Sequence, residues 1–278
     1  MGFSGAQRRI LVLTFGAWLF AILPCQAQTQ CPELPTIPKP STEADATQKP
    51  GPVVDAPYHV MHAVDWQREP FLGVGHLPIE RRDARYYDWP SWVVLPLWAA
   101  PNASAFAGWI YDGQVALAGA SSVPLTGAGM VETDYEHSTL FVHATAPGGW
   151  LHIQWGAGAE DLAWTHRCHL ELGEARLAYE PWEEFLRRHG DWMHFRSRVP
   201  HALREAPSVE SPRVTWIGLD HKLILREISG DWMRVEVQQP DPTCGSSDTA
   251  FAGATDTGWV KWRDPEMGPW VWIYTRGC

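Results

Sequence analysis

The segment Gly230-Asp-Trp-Met-Arg-Val-Glu-Val237 constrains the fold more than any other, because the chain carries it twice. The earlier copy is Gly148-Gly-Trp-Leu-His-Ile-Gln-Trp155. In each, a glycine turn precedes an apolar set, Met233, Val235 and Val237 or Leu151, Ile153 and Trp155, which alternates with a more polar one. A period of two is that of a half-buried β-strand. A second match, Leu97-Trp-Ala-Ala-Pro-Asn102 against Leu203-Arg-Glu-Ala-Pro-Ser208, lies upstream of each strand, so whole modules are repeated. Pro101 to Trp150 spans 49 positions and Pro207 to Trp232 only 25, which places an insertion in the first module. Short apolar runs broken at intervals by Gly and Pro make the expected class all-β.

Before the first module the chain changes character. Arg8 and Arg9 precede an apolar run from Ile10 to Leu23 and then Cys25-Gln-Ala27, the pattern of a secretory signal peptide cleaved after Ala27. Lipid attachment at Cys25 fits less well, since Pro24 stands where that processing wants a small residue. The residues around the arginine pair match a twin-arginine signal poorly. The apolar run is short of the roughly 20 residues a membrane-spanning helix needs, and the rest of the chain offers no second candidate. From Gln28 to about Pro57 the composition is Pro, Thr, Gln, Lys and Glu, which cannot build a core and reads as an extended tether.

Charge and cysteine content then narrow the partners. The formal charge of -10 becomes -12 on cleavage, since Arg8 and Arg9 are the only charged residues removed. A chain this acidic, with no Lys/Arg-rich run, is repelled by phosphate backbones and anionic lipid surfaces, which argues against nucleic acid and membrane surfaces as partners. Cys31, Cys168, Cys244 and Cys278 remain after cleavage, an even number in an exported chain and so a disulfide framework. Cys244 with Cys278 is the favoured pair, both lying in the second module, and Cys31 with Cys168 follows by elimination. The expected location is periplasmic or secreted.

Two histidine-rich stretches suggest metal binding and are discounted. In a strand, His59 and His62 of His59-Val-Met-His62 point to opposite faces, and Asp65 does not complete a ligand set. His166-Arg-Cys168-His169 reads as structural for the same lack of further ligands. Pro181-Trp-Glu-Glu-Phe-Leu-Arg-Arg-His-Gly190 predicts a helix, with acids in the first turn, bases in the last and a glycine stop. Pro240 to Ser247 reads as a loop held by Cys244. Gly258-Trp-Val-Lys-Trp262 and Trp270-Val-Trp-Ile-Tyr274, joined by a turn at Asp264 to Gly268, read as a final hairpin.

Leu203-Arg-Glu-Ala-Pro-Ser208, the strands from Leu223 through Val237, and Thr257-Gly-Trp-Val260 together resemble a bacterial SH3-like (SH3b) module. Ala100-Pro-Asn102, Gly149-Trp-Leu151 and Ala163-Trp164 resemble it more loosely, with Ala163 in place of a glycine. The resemblance implies two small, strongly bent β-barrels in tandem and a role in binding cell-wall peptide or glycan, or an envelope protein. The organisation expected from it is a signal peptide over 1–27, a Pro-rich linker over 28–57, and a first module with its insertion over 58–175. A helical connector over 176–198 and a second module over 199–278 complete it.

Three functions compete on the residues. A non-catalytic binding module needs only exposed aromatics, for which Tyr86, Trp98, Trp216 and Trp270 are candidates, although a tryptophan is more often a core residue. A glycoside hydrolase would use Glu132, Asp134 and Glu136, which share one face of a regular strand; the Glu-x-Asp-x-Glu spacing resembles that of laminarinase-type glycosidases. A scaffold would add a partner's strand to an exposed sheet edge. The expectation is the binding protein, with no catalytic residue, no metal and no cofactor assigned.

Overall fold

The computed structural model describes residues 31–36, 72–79, 92–120, 122–125, 130–134, 137–156, 158, 160–196, 199–218, 221–238, 256–265 and 268–273. The expected signal peptide, most of the expected linker, His59, His62, Asp65, Tyr86, Glu136, residues 240–247 with Cys244, and Cys278 lie outside them. The first part of the chain contributes β1 (Gly75–Leu77), β2 (Val94–Trp98), β3 (Phe106–Tyr111), β4 (Gln114–Leu117) and β5 (Val123–Pro124). It continues with β6 (Met130–Asp134), β7 (His137–Ala146), β8 (Trp150–Gln154), β9 (Leu162–His166) and β10 (Glu180–Pro181). Helix α1 (Trp182–His189) leads to β11 (Met193–Phe195), β12 (His201–Arg204), β13 (Arg213–Ile217), β14 (Lys222–Ser229) and β15 (Trp232–Gln238). Last come β16 (Asp256–Lys261), β17 (Arg263–Asp264), β18 (Gly268–Pro269) and β19 (Val271–Ile273). The protein is therefore mostly β, and no described helix is long and apolar enough to cross a membrane.

The strands form two main sheets with one shared plan. The first runs β10-β1-β7-β8-β9-β2-β3-β4-β5, with β6 also on β7; the second runs β19-β11-β14-β15-β16-β12-β13. With β4, β5 and β6 set aside as the insertion, and β17 and β18 as a small ribbon, the two orders are the same. Irregularities repeat as well: the register slips between Leu97 and Trp98 and between Leu203 and Arg204, and again between Val142 and Ala144 and between Leu225 and Glu227. A bulge at the same place in both copies bends both sheets alike. As paired, each sheet is open, with β10 and β5 at the ends of one and β19 and β13 at the ends of the other.

The period-two alternation holds in both copies. Met233, Val235 and Val237 are buried in one core, Leu151 and Ile153 in the other, and Trp155 packs half-buried against the latter. Each strand follows glycines with φ of +59° at Gly230, +87° at Gly148 and +90° at Gly149, a conformation side-chain-bearing residues avoid. Trp232, the tryptophan of the repeated motif, is not in the core. It sits half-buried opposite Ser229 and Lys261, and the buried indole at this turn belongs to Trp262, whose Nε1 donates to the Gly230 carbonyl at 3.0 Å.

Two expectations are corrected. The tail does not form one hairpin: β17 pairs with β18, whereas β19 crosses to β11. The helix is more than a connector, because Trp182, Phe185 and Leu186, at positions i, i+3 and i+4, belong to the second sheet's core together with Leu72 and Phe141. Its end is fixed by Gly190, where a Cβ would lie 2.5 Å from the Leu186 carbonyl oxygen and 2.6 Å from Leu225 Cβ. The pairing of Cys31 with Cys168, expected by elimination, is present and ties residue 31 to the first sheet. Cys31 is disulfide-bonded to Cys168, and buried Pro32 accepts a hydrogen bond at 3.0 Å from His169 Nε2.

Candidate functional site

A cleft of about 400 Å³ opens where the β10-β1-β7-β6 end of the first sheet meets α1. Strand register aims its floor. His76 in β1 pairs with Phe141 in β7 and Glu180 in β10, so these side chains leave the same face of the sheet, opposite the core formed by Leu77, Leu140 and Val142. From the helix come Glu184, Phe185, Arg188 and His189, one face at i, i+1, i+4 and i+5. Thr133 and Asp134 of β6, Thr139 of β7, Tyr179 and the apolar Pro78, Ile79 and Ala178 complete the lining among the described residues.

At the floor lies a fully connected polar chain. His76, 1% exposed, donates from Nε2 to Glu180 Oε2 at 3.0 Å, and its Nδ1 accepts the Thr139 hydroxyl at 2.9 Å. Arg188 Nη2 donates to the same Oε2 at 2.6 Å. The imidazole is stacked on Trp182, with centroids 4.6 Å apart, and meets the edge of Phe185 at 4.9 Å. Burial outweighs the Glu180 hydrogen bond and lowers the His76 pKa, so the ring is neutral with both nitrogens satisfied. For Glu180, burial alone would raise the pKa; the His76 hydrogen bond and the Arg188 guanidinium reverse this and hold it below the ordinary carboxylate value. Glu180 is therefore an anion that is only 6% exposed.

The second sheet has the same position and fills it differently. His194 is the middle residue of β11 as His76 is of β1, and where His76 faces Glu180, His194 faces Trp272. Trp272 packs on Trp182 at 5.0 Å and on Phe185 at 5.7 Å, so both equivalent edges press on the one helix. An aromatic ring suits this place in the fold. A buried carboxylate there costs desolvation energy and is not a requirement of the architecture.

The residues singled out from sequence are scattered. Trp98 is buried in a ring cluster with Trp150 and His169. Trp216 is exposed, at 52%, with the Arg213 guanidinium 4.6 Å above it, and Trp270 is half-buried with Lys261 over its ring. None of these three lines the cleft. His166 is buried and bonded to the Gly148 carbonyl and the Cys168 N–H, so with His169 on Pro32 the His166–His169 stretch braces the disulfide.

Among the three acidic positions, Glu132 pairs with Ser138 and Asp134 with His137, adjacent residues, so a bulge at Thr133 breaks the expected shared face. Strand β6 ends at Asp134, before Glu136. Asp134 lines the cleft.

Sequence reasoning missed His76, Thr133, Thr139 and Glu180. The one available signal was the match of Gly75-His-Leu77 with Met193-His-Phe195. Against known proteins, no family model matches the chain and no curated protein matches it.

Proposed function

We propose that this is an exported, non-catalytic protein of the cell envelope, built from two SH3-like modules, that binds a cell-wall peptide or glycan, or an envelope protein, in the cleft against α1. The observation that carries the reading is Glu180. A buried, ionised carboxylate stands in a cleft at a place where the other copy of the module has the tightly packed Trp272. Shared strand order and shared bulges support a duplicated small β module, and the Cys31–Cys168 disulfide agrees with an oxidising compartment. The connected floor groups hold Glu180 in place at the cleft, and no step in the reading makes or breaks a bond.

Retention on purified cell-wall sacculi, compared with bare beads, tests the proposal. Mature protein should be retained, and Glu180→Gln, which keeps the side-chain shape and removes the charge, should be retained poorly at an unchanged fold. Wild-type protein held no better than by beads refutes cell-wall binding. Release of reducing sugar from β-glucans that disappears in Glu132→Gln would replace the reading with a glycoside hydrolase.

A further inference from the structure

The two copies of the module treat one sheet edge differently. β3 and β13 occupy the same place: Leu97 pairs with Gly108 and Pro96 with Trp109, as Leu203 pairs with Thr215 and Ala202 with Trp216. Trp109 and Trp216 are therefore equivalent residues. Trp109 is 4% exposed, and on the far side of its strand lies β4, which sets Ala116 opposite it. Trp216 is 52% exposed, and β13 has no strand beyond it among the described residues. Val214, two positions earlier, is 43% exposed, and no other strand carries two such large apolar residues among those described. β13 is also the longest of the strands at the sheet ends, five residues against two for β5 and β10 and three for β19. Its bulge does not close the edge, since β3 has the same one and still pairs with β4. An unpaired edge of this kind is a template for a further strand.

We infer that the β13 edge accepts an extended, acidic segment of a partner protein, added antiparallel in the register that β4 holds on β3. This surface is separate from the cleft, and the inference does not rest on the reading of the cleft. The first copy defines the backbone half of the fit: Ala118 N donates to the Ala107 carbonyl at 2.8 Å, and Ala107 corresponds to Val214. A small residue opposite Trp216, as Ala116 is opposite Trp109, leaves room for the indole. The charge half comes from one exchanged residue. Phe106 pairs with Trp98 and meets the Trp109 ring at 5.6 Å, whereas its equivalent, Arg213, pairs with Arg204 and holds its guanidinium 4.6 Å over Trp216. Arg213 is exposed, and Arg204 donates to the Ser211 carbonyl. Neither forms an ion pair among the described residues, with Glu205 and Glu210 of the neighbouring loop or with any other acid. A carboxylate opposite Val214, two positions past the small residue, emerges on the same face as the indole and next to both guanidiniums. Pairing β13 with β13 of a second copy would instead bring more arginine to this seam.

The probes are two fluorescein-labelled peptides of residues 113–119, one with Ala118→Glu and one with Ala118→Gln, titrated with the mature protein and read by fluorescence anisotropy. At low salt the acid should bind about threefold more tightly than the amide, as suits an exposed charge pair, and the gap should close as salt rises. Arg213→Gln should bring the acid down to the amide's affinity and leave the amide unchanged. Trp216→Ala should weaken both about threefold, through the lost cross-strand contact. Both positions are exposed, so neither substitution touches the core. Methylating the backbone nitrogen of peptide residue 118, the donor toward β13, should weaken binding at least about fivefold, whereas methylating that of residue 117, which points away, should not.

Equal affinity for acid and amide, a gap that survives Arg213→Gln, equal loss from the two methylations, or no binding of either peptide up to about 1 mM overturns the inference. Dimerisation of the protein that Trp216→Ala abolishes, read by analytical ultracentrifugation, would also overturn it, by giving the edge to a second copy of the chain.

Discussion

Replacing both Cys31 and Cys168 by serine should remove a large share of the protein's stability. The bond joins residues 137 apart, and both cysteines are exposed, so serine changes no packing. Closing a loop of that length removes unfolded-state entropy worth about 5 kcal/mol at 25 °C in the chain-entropy treatment. Releasing the N-terminal segment also removes the Pro32 carbonyl from His169, a buried hydrogen bond contributing about 1 kcal/mol. Set against a net stability of about 5 to 15 kcal/mol for an ordinary domain, the combined loss decides whether the first sheet stays folded. Urea titration followed by tryptophan fluorescence reads the effect directly, because Trp98 stacks on His169 at 5.9 Å and meets Trp150 at 5.2 Å. The midpoint should fall by about 2 M for a slope of about 2 to 3 kcal/mol per M. A midpoint within about 0.3 M of wild type at an equal slope would show that the segment is held by contacts other than the bond.

Trp182→Ala should destabilise the protein by about 3 to 5 kcal/mol, since the ring is buried against His76, Phe185 and Trp272 and its Nε1 donates to the Leu72 carbonyl; a thermal melt unchanged from wild type contradicts this. Stability should also fall as pH drops from about 6.5 to 4. Burial lowers His194 to about 4, so across that window the unfolded chain binds a proton the folded one refuses, at a cost that grows to about 3 kcal/mol. His201, lowered to about 4 likewise but closer to solvent, adds less. Urea midpoints flat across that window refute the assignment. A fragment of residues 191–278 keeps the second sheet but lacks Leu72, Phe141, Trp182, Phe185 and Leu186 of its core, and should show no cooperative melt; a melt at the full-chain temperature would free that sheet from the helix.

What could be seen in the sequence was whatever a local rule writes into neighbouring residues. The β15 and β8 strands each carry three alternating apolar residues after a glycine, and α1 carries its acids, bases and glycine stop within ten positions, so both were legible. The 49-against-25 spacing located an insertion that became β4, β5 and β6. The cleft was not legible. β1 and β11 are three residues long and β10 is two, too short for any periodicity to show. Glu180 and His76 are 104 positions apart and meet only through the pairing of β10 with β1. The acidic positions misled because strict alternation was assumed across Thr133, where the bulge reverses the phase. Trp232, the motif's conspicuous residue, begins the outward-facing set, and the buried indole at its turn, Trp262, arrives from just beyond the end of β16.

The helix that roofs the cleft ties the proposed ligand site to the rest of the molecule. One face of α1 presents Glu184, Arg188 and His189 to the cleft, while Trp182, Phe185 and Leu186 sit in the second sheet's core. Phe185 belongs to both, touching His76 on one side and Trp272 on the other. Holding Arg188 on Glu180 therefore fixes the helix that completes the second core, and disordering that core would let Arg188 leave a buried anion short of a partner. A ligand that binds only when these groups are assembled stabilises both sheets together, by about 2.7 kcal/mol at a hundredfold excess over its dissociation constant. The second copy of the module, which carries Trp272 in place of a charge, thus contributes through packing: it supplies the apolar surface that keeps α1 seated over the first.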